Sequence, residues 1–231
     1  VATLHDLELT KDLTNLLPDD LTAEFANGVL DSCKLGDEIA YFPVALQPQA
    51  IIYRKDRFKE AGLEIPKTWD EFVECAKALT KDTDGDGEVD QWGFGMVGSN
   101  NSSGQSRFMS YLWSNGVDCV TDTDGKWDTD LKADNKTFTD AFEKWTKMND
   151  DGIVPIGITE VDYPTAANYF AMGYTSMFMT GSNALGVAYA NNPDLKGNLG
   201  SFKLPGDYPG TMLGTEGYAI SEYTTDEEAA A

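Results

Sequence analysis

The chain of 231 residues holds one histidine, His5, and three cysteines, Cys33, Cys75 and Cys119. One imidazole excludes a zinc centre built on three histidines. No motif sets a serine or cysteine beside it as nucleophile to base, so a triad would rest wholly on the fold. The cysteines are odd in number and lack metal-ligand spacing; Cys75 falls in an apolar helical stripe, and a bridge between Cys33 and Cys119 is left open. Cations are scarce as well, with 17 Lys and Arg against 39 Asp and Glu and a net charge of −22. Nucleic acids and anionic membrane surfaces are both held by clustered Lys and Arg, so neither is expected as a partner. The charge reads as a soluble, self-repelling surface. No run of about 18 apolar residues occurs that would span a bilayer as a helix.

What is present is enough apolar material for a sizeable core, 41% hydrophobic and 11% aromatic, in a length that suits one large or two small domains. The patterning alternates between the two regular periods. Strands are expected over 38–43 and 50–53, separated by Gln47-Pro48-Gln49. Thr68 opens a strong helix: Glu71 completes a capping box, Pro66 stands upstream, and Trp69, Phe72, Val73, Ala76 and Leu79 share one face. A strand over 92–97 leads into a small polar loop over 98–105 and a helix over 107–115, which Gly116 stops. Phe138, Phe142, Trp145 and Met148 mark another amphipathic helix, ended by Gly152. A helix over 166–171, a buried strand over 175–179, a turn at Gly181-Ser182-Asn183 into a further helix, and strands over 199–204 and 218–221 follow. Such alternation predicts an α/β fold.

One stretch carries its own chemistry. Asp82, Asp84, Asp86 and Asp90 stand at alternate positions with Glu88 between the last two, and Gly87 follows the third aspartate. A hard cation takes six to eight oxygens, and a tight loop with a glycine at its bend can turn alternate carboxylates inward. Calcium is therefore the one cofactor the residues suggest, in a structural role. The comparison with an EF-hand stops at the twelfth position, where Gly93 stands instead of a bidentate glutamate. The alternative is a polar, self-solvating connector between a helix and a strand.

The run from Tyr53 to Phe94 joins Tyr-Arg-Lys-Asp-Arg-Phe, Glu-Ala-Gly-Leu, Pro-Lys-Thr-Trp-Asp-Glu-Phe, the aspartate loop and Gln-Trp-Gly-Phe. In that order and spacing it resembles the extracellular solute-binding proteins of carbohydrate ABC importers, family 1, which includes the maltodextrin-binding protein. Gly36-Asp37-Glu38-Ile39-Ala40-Tyr41-Phe42-Pro43 resembles that family's strand into the first hinge, and the segment from Tyr169 to Met177 resembles its "Phe-x-x-Gly-Lys-x-Ala-Met". Leu199 to Pro205 and Gly214-Thr215-Glu216-Gly217-Tyr218 resemble its late strand and second hinge. The resemblance implies a periplasmic-binding-protein-like two-lobe fold of type II, α/β in class, with ligand in a cleft between lobes. It places a remnant of the amino-terminal lobe and the first hinge at 1–49, the carboxy-terminal lobe at 50–208, and the second hinge and return at 209–231. The family's first and last elements are missing from this span, so a fragment lacking both ends is expected, with weak or absent sugar binding. Asp226 to Ala231 reads like the opening of a helix.

Site residues follow from the resemblance position by position. Gln47 matches a hinge position that presents a polar side chain to ligand. Gln105 and Arg107 lie where relatives place an acidic and an aromatic contact. Ser182 and Asn183 stand in for the Pro-Trp of the familiar Gly-Pro-Trp, and Glu216 lies on the second hinge. Losing two aromatic platforms favours a small polar sugar over a long maltodextrin, with other tryptophans left to supply stacking. The expected function is a monomeric, non-enzymatic sugar receptor that delivers its carbohydrate to a membrane permease. It would act outside the cell, in a periplasm or as a lipoprotein held at the surface by an anchor not in this chain. Two alternatives stand beside it: a carbohydrate-active enzyme using paired carboxylates, and a calcium-stabilised extracellular module.

Overall fold

The computed structural model describes residues 2–208 and 210–225. The segment from Asp226 to Ala231, read above as a helix start, lies outside the described residues. In chain order the elements are α1 (Ala2–Asp6), α2 (Asp19–Thr22), β1 (Lys34–Leu35), β2 (Glu38–Ile39), β3 (Phe42–Pro48), β4 (Ala50–Arg54), α3 (Lys55–Ala61), α4 (Trp69–Leu79), β5 (Trp92–Gly95) and α5 (Ser102–Ser114). They continue with β6 (Thr121–Thr123), β7 (Lys126–Asp128), α6 (Lys136–Asp150), α7 (Tyr163–Met172), β8 (Thr175–Thr180), α8 (Asn183–Asn191), β9 (Leu199–Phe202) and β10 (Leu213–Tyr218). The chain divides into two compact units, one of Val1–Gln47 with Leu213–Ala231, the other of Pro48–Met212.

The smaller unit is built on two short pairings, β1 antiparallel to β2 and β10 beside β3. Leu13, Cys33, Ile39 and Ile220 form its core, with Leu16, Leu17, Tyr41 and Phe42 packed around them. His5 Nε2 meets Glu38 Oε2 at 2.8 Å and Nδ1 meets Thr10 Oγ1 at 3.2 Å, so the lone imidazole ties α1 to β2.

The larger unit centres on a four-stranded sheet in the order β5-β8-β4-β9. β5 runs parallel to β8, while β4 is antiparallel to both β8 and β9. Every residue of β8 is buried, because neighbours pair with both of its edges and α4 and α7 pack against it. A strand covered on both faces reads as a continuous apolar run without alternation, as Met177-Phe178-Met179 does here. The capping box of α4 forms as the sequence predicts: Thr68 Oγ1 accepts from Glu71 N at 3.2 Å, and the Glu71 carboxylate accepts from Thr68 N at 3.2 Å. The apolar face of α4 enters an edge-to-face aromatic cluster with Phe94 and Tyr111, and Trp69 Nε1 donates to Ser114 Oγ at 2.9 Å. α4 lies so close to β5 that a Cβ added to Gly93 would stand 2.0 Å from the Ala76 carbonyl oxygen. Only glycine fits there.

Several expectations change. The strand expected over 38–43 is divided, and β3 runs on through Gln47 and Pro48, because pairing with β10 carries the extended chain past the presumed connector. The loop expected over 98–105 is half helix: Asn101 Oδ1 accepts from Ser103 N at 3.0 Å and Gly104 N at 3.2 Å, starting α5 at Ser102. The last strand is Leu213–Tyr218, ahead of the 218–221 expected. α3 and the β6–β7 hairpin, turned by Asp124 and Gly125 with φ of 55° and 76°, were not anticipated. Cys33, Cys75 and Cys119 are all buried free thiols, so the bridge left open between Cys33 and Cys119 is not formed.

Two substitutions test this packing. Thr68→Ala should cost about 1 kcal/mol by loss of the cap, and Gly93→Ala about 1–3 kcal/mol or more by overpacking. Urea unfolding of each variant checks the order: a Gly93→Ala protein as stable as its parent would mean that α4 does not rest on β5.

Candidate functional site

Strand polarity assembles the site. Because β5 and β8 are parallel, the loop over 98–101 and the turn over 181–182 leave the sheet at the same edge. β4 runs the other way, so its first residue, Ala50, pairs with Thr180 and brings Gln49 to that edge too. In open α/β sheets this edge, beyond the carboxyl ends of parallel strands, is where ligands gather. A cavity of about 600 Å³ opens there between the start of α5 and the side of α6. Asn100, Gln105 and Ser99 supply amides and a hydroxyl, while Phe108, Phe142 and Trp145 supply ring surface. No residue lining it carries a charge. In a chain of net charge −22 that neutrality is distinctive.

The expected site residues fall into different surroundings. Gln105 is exposed and lines the cavity. Arg107, one helical turn inside α5, is only 7% exposed. Its Nε donates to Met179 O at 2.9 Å and its Nη1 to Ser103 O at 2.8 Å, and its guanidinium lies 4.8 Å from the centre of the Tyr163 ring. Burial pushes its pKa down to about 10, which still leaves it charged at neutral pH. The side chain thus clamps the end of β8 to the start of α5. Ser182 and Asn183 are exposed at the start of α8, and Ser182 makes no side-chain cap. In the other unit Gln47 Nε2 donates to Glu216 Oε1 at 2.6 Å, so the two residues expected at the hinges are paired with each other.

By spacing, Phe142 and Trp145 belong to the apolar face of an amphipathic helix. Phe142 is in fact 46% exposed. Helical spacing cannot separate a face that meets the core from its margin, which meets a cavity. Gln49, whose Nε2 donates to Ser106 Oγ at 3.2 Å, carried no motif at all.

The aspartate loop sits at the opposite end of β5, its neck closed by a Lys81–Gln91 bridge. Asp82, Asp84 and Asp86 offer carboxylate oxygens within 4.8 Å of one another, the one such group among the described residues. Glu88 and Asp90 stand outside it. Asp90 instead accepts from Thr83 N at 2.9 Å and Thr83 Oγ1 at 2.6 Å, which pins the loop across its base. The amides of Gly87 and Gly85, at 2.8 and 2.6 Å, hold the Asp82 carboxyl below its ordinary value of 3.8. A carboxylate so depressed contributes its order above pH 3.8 and loses it as pH falls through the lowered value. The amide resonances of Gly85 and Gly87 should therefore hold steady from pH 7 to 5 and move together well below pH 4; titration near the ordinary value would contradict these two bonds. For Arg107→Met, stranding two buried carbonyls should cost about 2–3 kcal/mol in urea unfolding, whereas Gln105→Ala should change stability by less than about 0.5 kcal/mol.

Comparison with known proteins places this geometry. The family profile described as "Bacterial extracellular solute-binding protein" matches residues 7–231. The fructooligosaccharide ABC transporter substrate-binding protein FusA of Streptococcus pneumoniae is 28% identical over 127 residues, 54% of this chain and 23% of that protein. A solute-binding protein of Thermotoga lettingae, solved with α-D-tagatose, superposes with a TM-score of 0.86 at 21% identity, over 99% of this chain and 57% of the other. The maltose-bound MalE3 of T. maritima superposes with a TM-score of 0.79 at 25% identity, over 96% and 56%. The chain thus spans little more than half the length of these structures and less of the curated relative. The α/β architecture of periplasmic sugar-binding proteins is shared nearly throughout.

Proposed function

Because the chain belongs to the bacterial extracellular solute-binding protein family, we propose that it serves as an extracellular receptor that captures a carbohydrate and hands it to the membrane permease of an ABC importer. The uncharged cavity at the sheet edge carries this proposal. Sugar recognition needs ring faces for the apolar C–H surface and planar polar groups for the hydroxyls. Trp145 and Phe142 offer the first; Gln105 and Asn100 offer the second. Ser182 and Asn183 are proposed as further polar contacts, with Arg107 as the clamp at the end of β8; Gln47 and Glu216 are proposed as ligand contacts carried by the smaller unit. The relative named for fructooligosaccharide and the structures solved with tagatose and maltose support a neutral sugar as cargo.

Binding without turnover is proposed as well, supported by membership of a solute-binding family. The protein is proposed to act as a monomer outside the cytoplasmic membrane. No helix among the described residues is long and apolar enough to cross one. Calcium is proposed at the aspartate loop, where the oxygen-only group of Asp82, Asp84 and Asp86 suits a hard cation. The ion would be structural, since the loop and the cavity lie at opposite ends of β5.

A thermal-shift screen of the mature protein against tagatose, maltose, maltotriose, short fructooligosaccharides and sugar alcohols, with calcium and with EDTA, tests both parts. One sugar class at a hundredfold its Kd should raise the midpoint by about 5–10 °C, and the shift should survive EDTA. No shift from any sugar, with a large loss of stability in EDTA, would favour a calcium-dependent module. Release of product from a chromogenic glycoside would sink the receptor assignment in favour of an enzyme.

A further inference from the structure

Six places in the chain set Asn or Asp directly before Gly: Asn27-Gly28, Asp84-Gly85, Asp86-Gly87, Asn115-Gly116, Asp124-Gly125 and Asp151-Gly152. Such a pair is chemically labile, because the glycine nitrogen can close a five-membered ring onto the preceding side-chain carbon and no Cβ hinders its approach. The attacking atom is the amide nitrogen after it has lost its proton, so a hydrogen bond that holds the N–H withholds the nucleophile. Five of the six glycine amides are held. Gly85 N and Gly87 N donate to the two Asp82 carboxylate oxygens at 2.6 and 2.8 Å, and Gly125 N donates to Asp122 Oδ1 at 2.9 Å. Gly116 N donates to Trp113 O and Gly152 N to Asn149 O, both at 2.9 Å. Gly28 N donates to nothing among the described residues, and the Asn27 carboxamide has no partner among them either. Both residues are exposed, in a turn that sets Gly28 at a φ of 82°.

We infer that Asn27 is a site of spontaneous deamidation, at which the folded protein is modified by water alone. Gly28 N gives its proton to hydroxide and attacks Asn27 Cγ; the new C–N bond closes a succinimide, and the side-chain nitrogen leaves as ammonia. Water then opens the ring. Breaking the bond to Cγ leaves an aspartyl residue, and breaking the bond to the main-chain carbonyl leaves an isoaspartyl one, with the chain running through Cγ. The balance is one water taken up for one ammonia lost, with no oxidant, metal or enzyme. Asn115 is the internal contrast, since it too is followed by Gly-Val. Its Nδ2 donates to Tyr111 O at 2.8 Å, so both its carboxamide and the next amide are fixed at the end of α5. The isoaspartyl product adds a methylene to the main chain just ahead of a packed turn. There Val29 is buried, its amide donates to Ala26 O at 3.1 Å, and its carbonyl accepts from Ser32 Oγ at 2.6 Å and Cys33 Sγ at 3.5 Å. Cys33 belongs to the core of the smaller unit, so the modification reaches that core. The assignment is independent of the receptor proposal and holds whatever the protein binds.

The test needs no variant. The mature protein is incubated at mildly alkaline pH, folded in one series and in denaturing urea in another, then digested with trypsin. Cleavage after Lys11, Lys34, Arg107 and Lys126 puts the two Asn-Gly pairs on separate peptides, 12–34 and 108–126. Mass spectrometry follows the amide-to-acid mass gain and the isoaspartate content of each. In the folded protein position 27 should convert at least tenfold faster than position 115, whereas in urea the two should agree within twofold. Equal rates in the folded protein, or a folded rate at position 27 tenfold below its rate in urea, overturns the inference. The isoaspartyl form, resolved chromatographically, should melt below fresh protein; if it melts with fresh protein, the link to the core of the smaller unit is overturned and the site alone stands.

Discussion

The burial of β8 is the constraint on which the larger unit depends. Its six residues are covered on both faces and paired along both edges, so its register sets that of β5 on one side and β4 on the other. Once that register is fixed, the positions of Gln49, the loop over 98–101 and the turn at Gly181 follow from chain direction alone. The site is therefore a by-product of sheet order, and the hydrophobic effect that buries Met177, Phe178 and Met179 also places polar groups some distance away.

Arg107 shows how one buried cation serves that placement. Its bonds to Met179 O and Ser103 O satisfy carbonyls from two different elements, and the Tyr163 ring covers its face. Charge-assisted bonds of this kind are stronger than neutral ones, and they hold the end of β8 against the first turn of α5. The cavity wall formed by α5 is thereby set before any ligand arrives. Preorganisation of this sort limits the entropy lost on binding.

Where local chemistry decides structure, the sequence was legible. The Thr68–Glu71 box, the stripe from Phe138 to Met148 and the apolar run of β8 announced α4, α6 and the central strand, and the alternation of elements announced the α/β class. Where a distant partner decides, it was not. β3 extends through Pro48 because β10 pairs with it, and a partner strand so far along the chain leaves no mark on local spacing. Asn101 was legible in principle as a cap, but a run of small polar residues looks the same whether it caps a helix or lines a loop. The candidate site divides likewise. Resemblance singles out Gln105, which lines the cavity, whereas a buried Arg107 and a ligand-facing one are spelled identically, and the bond from Gln49 to Ser106 exists only once the sheet is assembled.

The Lys81–Gln91 bridge brings together the two ends of the aspartate loop before the chain enters β5. Beneath it, Gly93 lies against Ala76 with no room for adjustment. The close contact is thus below the neck, while the side-chain hydrogen bonds of the loop above it run within the loop itself. Loop-closure entropy grows only slowly with length, so this neck is a natural port for engineering. A lanthanide-binding or fluorophore-bearing insert placed between Asp84 and Glu88 would report from the outside of the molecule while leaving the far end of β5, with its cavity, undisturbed.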